Sequence, residues 1–447
     1  MKKPKASAAE LVWSTELVEG IARFILDPYD LLDFLTALEP MKCLGDLAHL
    51  HTMLDQADDA GMAKVWPTLR VTSSTFNNPT LRTVVKYYSR FTLLEACDYS
   101  WLCVVPSARV HLKAFPATQD KVALAHWFNN LTRLPITLIT WRSNKNLNYD
   151  NEDTNDNGEE ALLHALPRLP HLRGLNIASH FTHMTQLLEF VSTSQLKEFV
   201  TGYDDTNYDY CKVYPPLTRW LTAQPVEVFS FDVNDLANIP ISTVEEFFTS
   251  LTLSSSLTTL SMLQLDLSFL LEFSFRLPKS VRTLNLYACK CSLWVNLAEL
   301  VENSNLEALS ISGASFAMSQ EMFIATFLSR VPKSLKSLDL SSCQLTCDEC
   351  RVLPQALPTT SIVNLNLSDN GLRDEGIGYI AQAIQSSALR ILNISSTCVT
   401  EAGVKSLIYA ARAKPKFFIR MEKNNWDDDT KTRLRKVAGQ ENTLIVV

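Results

Sequence analysis

A short pattern, L-x-x-L-x-L, returns along most of this chain and constrains its fold more than any other feature. It reads Leu172-Leu175-Ile177, Leu196-Phe199-Thr201, Val226-Phe229-Phe231, Leu257-Leu260-Met262 and Val281-Leu284-Leu286. It continues as Leu306-Leu309-Ile311, Leu335-Leu338-Leu340, Ile362-Leu365-Leu367 and Leu389-Leu392-Ile394, with a weaker copy at Lys416-Ile419-Met421. Successive starts lie 24, 30, 31, 24, 25, 29, 27, 27 and 27 residues apart. In a strand the fourth and sixth positions face the same way, so each copy supplies a short strand with one apolar side. The residues after it switch to helical spacing. Ile377, Ile380, Ala381 and Ile384 fall at i, i+3, i+4 and i+7, and Val404, Leu407, Ile408 and Ala411 repeat them 27 residues later. Neither the strand nor the helix can bury its apolar side alone. Stacked units bury both, which predicts an α/β solenoid with a parallel sheet inside and helices outside.

Composition narrows the function. With 447 residues, 46% apolar and 20% charged, the chain is too apolar to be mostly disordered. Twelve glycines are too few for several Gly-rich phosphate loops. A net charge of −7 argues against nucleic acid or an anionic membrane as partner, since both need a basic face. No window approaches the roughly 18 apolar residues of a membrane span. Lysines in Met1–Ala9 precede no apolar core, so no signal peptide is read, and the ten cysteines are expected as reduced thiols in the cytoplasm or nucleus.

The stretch Ile362–Ala381, I-V-N-L-N-L-S-D-N-G-L-R-D-E-G-I-G-Y-I-A, resembles the long leucine-rich repeats of ribonuclease-inhibitor-like proteins. Such repeats also occur in Ran GTPase-activating proteins and innate immune receptors. The resemblance runs from about Leu257 onward, loosens toward the N-terminus, and implies a horseshoe-shaped solenoid. Leu69-Val71, Val110-Leu112 and Ile136-Leu138 are divergent candidate strands before it. The organisation read from the chain is a disordered tail at 1–9, a helical domain at 10–65, and divergent repeats at 66–170 with an acidic insert at 150–160. Leucine-rich repeats follow at 171–426. A C-terminal cap at 427–447 comprises a helix, Asp427 to Ala438, and a closing strand, Thr443 to Val447.

Glu10 to Asp55 shows helical spacing and no repeat motif. Leu17, Ile21, Phe24 and Ile25 share one apolar face, Asp27-Pro28 breaks that helix, and Leu31, Leu32 and Leu35 begin a second. The string Glu16–Leu32, E-L-V-E-G-I-A-R-F-I-L-D-P-Y-D-L-L, resembles an F-box, with Trp13-Ser14 where that family usually has Leu-Pro. The resemblance implies docking of Leu17, Ile21, Phe24, Leu31, Leu32 and Leu35 on a Skp-type adaptor of a cullin ubiquitin ligase. A plain amphipathic helical cap on the solenoid gives the same spacing.

Several motifs imitate chemistry. Cys343, Cys347 and Cys350 spell C-x-x-x-C-x-x-C, with Cys289 and Cys291 upstream. Register assigns Cys343 and Cys289 to a slot held elsewhere by Asn370 and Asn424, Cys350 to a buried helix face, and Cys291 to the position of Leu345 and Leu372, so no metal is expected. Gly376-Ile377-Gly378-Tyr379-Ile380-Ala381 imitates a dinucleotide fingerprint, but Gly376 lies nine residues past Leu367 and Gly403 repeats it. Asp153, Asn155, Asn157 and Gly158 begin a calcium-type loop whose twelfth position is His164 rather than Glu. His180 and His183, with His171 or His164, read as scattered surface histidines. No metal, cofactor or catalytic set is expected.

Binding positions follow from the strand alternation. Asn285, Ser310, Asp339, Asn366 and Asn393, then Tyr287, Ser312, Ser341, Ser368 and Ser395, face away from the core as small polar groups expected to satisfy one another. An insert holding Tyr203, Asp204, Asp205, Tyr208, Asp209, Tyr210 and Tyr214, with Trp141, Arg142 and the 150–160 insert, is the expected recognition rim, since tyrosines give rigid contact area and carboxylates select a basic partner. The function expected is non-catalytic protein binding: a substrate receptor of a Skp–cullin–F-box ubiquitin ligase, or an interaction scaffold or GTPase/immune-type regulator.

Overall fold

The computed structural model describes residues 13–446, apart from positions 77, 100, 103–106, 143–156, 179, 203–209, 233–238, 268–269, 271–272, 274, 292–293, 317–320, 413, 415 and 442. The expected tail at 1–9 lies outside them. The chain divides into two compact units, Met1–Phe190 and Val191–Val447.

The first unit begins with helices. Ser14 caps Thr15–Ala22 by accepting the Leu17 N–H, and Asp27 caps Pro28–Leu38 by accepting from Tyr29 and Asp30. Proline at the first helical position lacks only an N–H that would be unpaired anyway, so Asp27-Pro28 both ends one helix and starts the next. The apolar face is not the one the spacing implied. Arg23 N–H turns back to Ile21 O, so the helix stops and Phe24 and Ile25 lie beyond it. Val18 and Ala22 go inward, while Leu17 and Phe24 are 47% and 86% exposed. Helices Leu47–Asp55 and Asp59–Val65 complete the group.

Five parallel strands follow in order: β1 (Thr68–Val71), β2 (Arg90–Leu93), β3 (Arg109–Leu112), β4 (Ile136–Trp141) and β5 (Gly174–Ile177). The three divergent candidates are thus strands. β2 is an addition that R-F-T-L, with only Phe91 and Leu93 in alternation, did not announce. Trp66 Nε1 donates to Ile25 O at 2.7 Å, the Tyr87 hydroxyl donates to Glu19, and Lys86 Nζ lies 2.7 Å from Asp46 Oδ2. The N-terminal helices are therefore fastened to the first coil. Burial, followed by the bond to Glu19, pushes the Tyr87 hydroxyl up to about 12.

The second unit carries β6 (Glu198–Thr201), β7 (Val228–Asp232), β8 (Thr259–Leu263), β9 (Thr283–Tyr287), β10 (Lys290–Cys291), β11 (Ala308–Ser310), β12 (Ser315–Phe316), β13 (Ser337–Asp339), β14 (Asn364–Asn366), β15 (Ile391–Asn393), β16 (Phe418–Arg420) and β17 (Leu444–Val446). β10 pairs with β12 in a separate two-stranded sheet and is bridged through Lys290 to Asp266; the others form one parallel ladder in chain order. Phe199, Phe229, Leu260, Leu284, Leu309, Leu338, Leu365, Leu392 and Ile419 meet in register down its centre. All nine are buried, and each contributes about 2 kcal/mol of hydrophobic transfer. Helices such as Ile241–Leu253, Arg373–Ile384 and Glu401–Ala411 cover the inward side. This is the leucine-rich-repeat solenoid fold that the periodicity predicts.

Aromatic residues fill the wider early coils. Trp220 packs on Phe199 and Phe229, and Phe229 stacks on Phe231 at 4.8 Å between centroids. In the weaker repeat the inward apolar place goes to Phe417, fully buried, because Lys416 keeps its charge in water. The closing elements, Asp428–Gln440 and β17, lie within two residues of expectation.

Candidate functional site

The solvent-facing side of the second unit's sheet is built from the residues that alternate with the buried leucines. Asn285, Ser310, Asp339, Asn366 and Asn393 stand in register across β9, β11, β13, β14 and β15. Ser341 N–H donates to Asp339 Oδ1 at 2.8 Å, and Ser368 and Ser395 N–H groups donate to Asn366 and Asn393 Oδ1 at 3.1 Å. Between coils, Asn285 Nδ2 donates to Ser261 Oγ at 3.0 Å and Ser341 Oγ to Ser312 Oγ at 2.9 Å. The side chains hold one another and the turn after the strand. Tyr287 stands out from them at 51% exposure, beside Gly313 of the next coil.

Behind that turn sits the slot shared by asparagine and cysteine. Asn370 Oδ1 accepts the N–H groups of Cys343 and Leu345, and its Nδ2 donates to the carbonyls of Leu340, Leu367 and Ser368. Asn424 repeats this two coils later, serving Thr397 N–H and the Ile394 and Met421 carbonyls. Cys343 Sγ points at Ile311 O and Ser341 O, Cys289 Sγ at Met262 O and Tyr287 O, and Thr397 takes the slot with its hydroxyl on Ile394 O. Burial pushes the Cys343 and Cys350 thiols up to about 12. These sulfurs are packed neutral groups, and among the described residues no three His, Cys, Asp or Glu side chains are placed to hold a metal ion.

Gly376, the first glycine of G-x-G-x-x-A, serves helix packing, as does Gly403 at the same position of the next repeat. A Cβ on Gly376 would lie 3.3 Å from Cys347 Cα, and one on Gly403 would lie 2.4 Å from Asp374 Oδ1. Of the calcium-like loop, Asp153 and Asn155 lie outside the described residues, while Asn157 Nδ2 donates to Gln119 O at 2.8 Å. Near the end of the acidic insert one carboxylate is not solvated: Glu159 is buried in helix Asn157–Ala165, accepting from His183 N–H at 3.2 Å with the His183 ring at 3.1 Å. That bonding offsets the desolvation of the carboxylate and makes His183 a structural partner rather than a surface group.

The expected recognition rim is only partly described. Tyr203, Asp204, Asp205, Tyr208 and Asp209 lie outside the described residues, and Tyr210 begins helix Tyr210–Ala223. Trp141 is not at the surface. Its ring is 3% exposed, 4.5 Å from Phe115 and 6.1 Å from Phe181 between centroids, because it ends an apolar strand run, I-T-L-I-T-W. Tyr214, from the same insert, is buried against Phe247.

The six residues expected to face an adaptor divide. Leu31 and Leu35 are buried in the first unit's own helical group, Ile21 and Leu32 are half-buried, and Leu17 and Phe24 are exposed. With Leu26, Tyr29 and Met41 they leave an apolar surface on the N-terminal helices.

The fold defined by this geometry is the leucine-rich-repeat solenoid. A family model described as "Leucine Rich repeat" matches residues 331–346 and 360–381, the coils around β13 and β14. The chain is similar to human "NACHT, LRR and PYD domains-containing protein 14", 32% identical over 114 residues, which is 25% of this chain and 10% of that protein. It is also similar to human "NACHT, LRR and PYD domains-containing protein 13", 38% identical over 80 residues, 17% of this chain and 8% of that one. Mouse "NACHT, LRR and PYD domains-containing protein 4B" is 30% identical over 112 residues, 24% of this chain and 13% of that one. The chain thus spans about a tenth of the length of these relatives.

Proposed function

We propose that the protein is a non-catalytic interaction scaffold of the immune-type regulator class, working in the cytoplasm or nucleus, whose second-unit sheet binds another protein. The observation that carries this reading is the fixed outward face. Its side chains are held by bonds to one another and to backbone, so a partner meets a surface already ordered and little entropy is lost on binding. Leucine-rich repeats generally serve protein association, and repeat stacking exists to present such extended faces. The test is a quantitative comparison of partners retained by the full chain and by Asn366→Arg with Asn393→Arg. Partners lost at least tenfold, with an unchanged melting transition, support the reading; an identical partner profile removes it.

The exposed apolar residues of the N-terminal helices favour a second reading, a substrate receptor that grips a Skp-type adaptor through Leu17 and Phe24, with Ile21 and Leu32 beside them. Leu31 and Leu35 would then shape the helices rather than touch the adaptor. Purified adaptor that binds the full chain but not Leu17→Asp with Phe24→Asp supports this. Binding indifferent to both substitutions, or no binding at all, ends it.

A further inference from the structure

One column of the second unit's sheet changes character along the ladder. The residues just before the inward-facing central column read Thr259, Thr283, Ala308, Ser337 and Asn364 on β8, β9, β11, β13 and β14, then Ile391, Phe418 and Leu444 on β15, β16 and β17. Ile391 and Leu444 are 41% and 58% exposed, Phe418 is half-buried between them, and Val446 is 36% exposed. Strands lie about 4.8 Å apart, so three consecutive in-register side chains make one apolar strip about 10 Å long. Isolated exposed apolar residues need no explanation; a contiguous row of three large apolar side chains on a face that is mostly polar elsewhere does.

Cations frame the strip. Exposed Arg390 immediately precedes Ile391, exposed Lys416 lies two residues before Phe418, and Arg420, on the same face as Phe418, stands opposite Val446. Arg420 makes a long ion pair with Glu422, 3.9 Å between Nε and Oε2, and its side chain stays 53% exposed to a further carboxylate. Lys414 adds to the positive side, donating to the carbonyls of Ser387 and Leu389 close to Arg390.

We propose that the strip Ile391–Phe418–Leu444 is a docking site for a partner-protein segment that carries two or three apolar side chains flanked by carboxylates. The inference rests on the protein-binding reading and specifies its chemistry: apolar groups cover the strip, and Asp or Glu side chains meet Arg390, Lys416 and Arg420. Rim charges of this kind set orientation and association rate, so binding weakens as salt rises.

The probe is a phage-displayed library of random dodecapeptides panned on the full chain, followed by titration of the synthesised consensus peptide. The expected consensus has apolar residues flanked by Asp or Glu. Its affinity falls tenfold or more for Ile391→Ser with Leu444→Ser and, independently, for Arg420→Glu, while the melting transition stays in place. Enriched peptides that bind these variants as well as the wild type overturn the assignment of this strip and leave the protein-binding reading standing. No enrichment on any surface removes both. A concentration-dependent dimer abolished by the double serine variant also overturns the proposal, because the strip then covers a second copy of this chain.

Discussion

Asn370 does at one residue what the backbone of the turn cannot do for itself. The coil reverses direction after the strand, leaving N–H and carbonyl groups buried away from water, and one carboxamide satisfies five of them. Asn370→Ala strands two buried N–H donors and is expected to cost about 2–4 kcal/mol, read as a lower denaturant midpoint. The Cys343 thiol at the preceding slot donates to the carbonyls of Ile311 and Ser341, bonds a hydroxyl can also make, so Cys343→Ser should cost far less. His111 gives a pH-dependent counterpart. Burial, with the charge of Lys113 second, pushes its imidazole down to about 4, and its Nε2 meets Thr140 Oγ1 at 2.8 Å. The unfolded chain takes up this proton near pH 6.5 and the folded one only near 4, so the unfolded state holds more protons between them. Stability therefore falls as pH drops through that window, by about 1–2 kcal/mol after allowance for partial solvent access. Denaturant midpoints at pH 7 and pH 5 should differ less for His111→Gln than for the wild type.

At the scale of the strand–helix unit, spacing between coils is set where helices touch. Gly376 and Gly403 occupy one repeat position, and a side chain there would enter the preceding helix. On Gly403 it would also strike Asp374, whose carboxylate receives the Thr400 N–H and hydroxyl at 2.8 and 2.5 Å. Gly378, two residues further on, has nothing within 4 Å of an added Cβ. Gly378→Ala should stabilise by up to about 1 kcal/mol through helix propensity, whereas Gly403→Ala should destabilise by about 1–2 kcal/mol because overpacking exceeds that gain. Thermal melts of the two variants should shift in opposite directions. These contacts also mark what the sequence could reveal. Period and alternation placed every strand from β6 to β9 and the central leucine column, because burying one side of a strand imposes a two-residue rhythm. The same rhythm made the asparagine slot legible from Asn370 and Asn424. β2 escaped although Phe91 and Leu93 give it the same four-residue alternation that marked β3, and Trp141 was misplaced because an aromatic at a strand end reads equally as core or contact. The strip at Ile391, Phe418 and Leu444 went unseen because each is an ordinary apolar residue until register sets them side by side.

Across the whole chain, repeat architecture makes stability local, since each coil draws its packing from its immediate neighbours. The N-terminal helices are then more than an appendage. They cover Trp66 and supply the Ile25 carbonyl, Glu19 and Asp46 to the first coil. Deleting residues 1–60 would remove partners from Trp66 Nε1 and the Tyr87 hydroxyl and uncover the apolar rings of Trp66 and Tyr88 beside β1. Amide exchange in such a deletion should quicken by more than tenfold at β1 and β2 while β13 to β16 keep their protection, the two regions being many coils apart in the chain. The consequence reaches function. Loss of an adaptor on deletion would report a damaged first coil as readily as a missing docking site, whereas Leu17→Asp with Phe24→Asp changes two exposed residues and leaves Val18, Ala22, Leu31 and Leu35 packed. If the deletion leaves exchange at β1 and β2 unchanged, the helices are not fastened as the bonds to Trp66 and Tyr87 require.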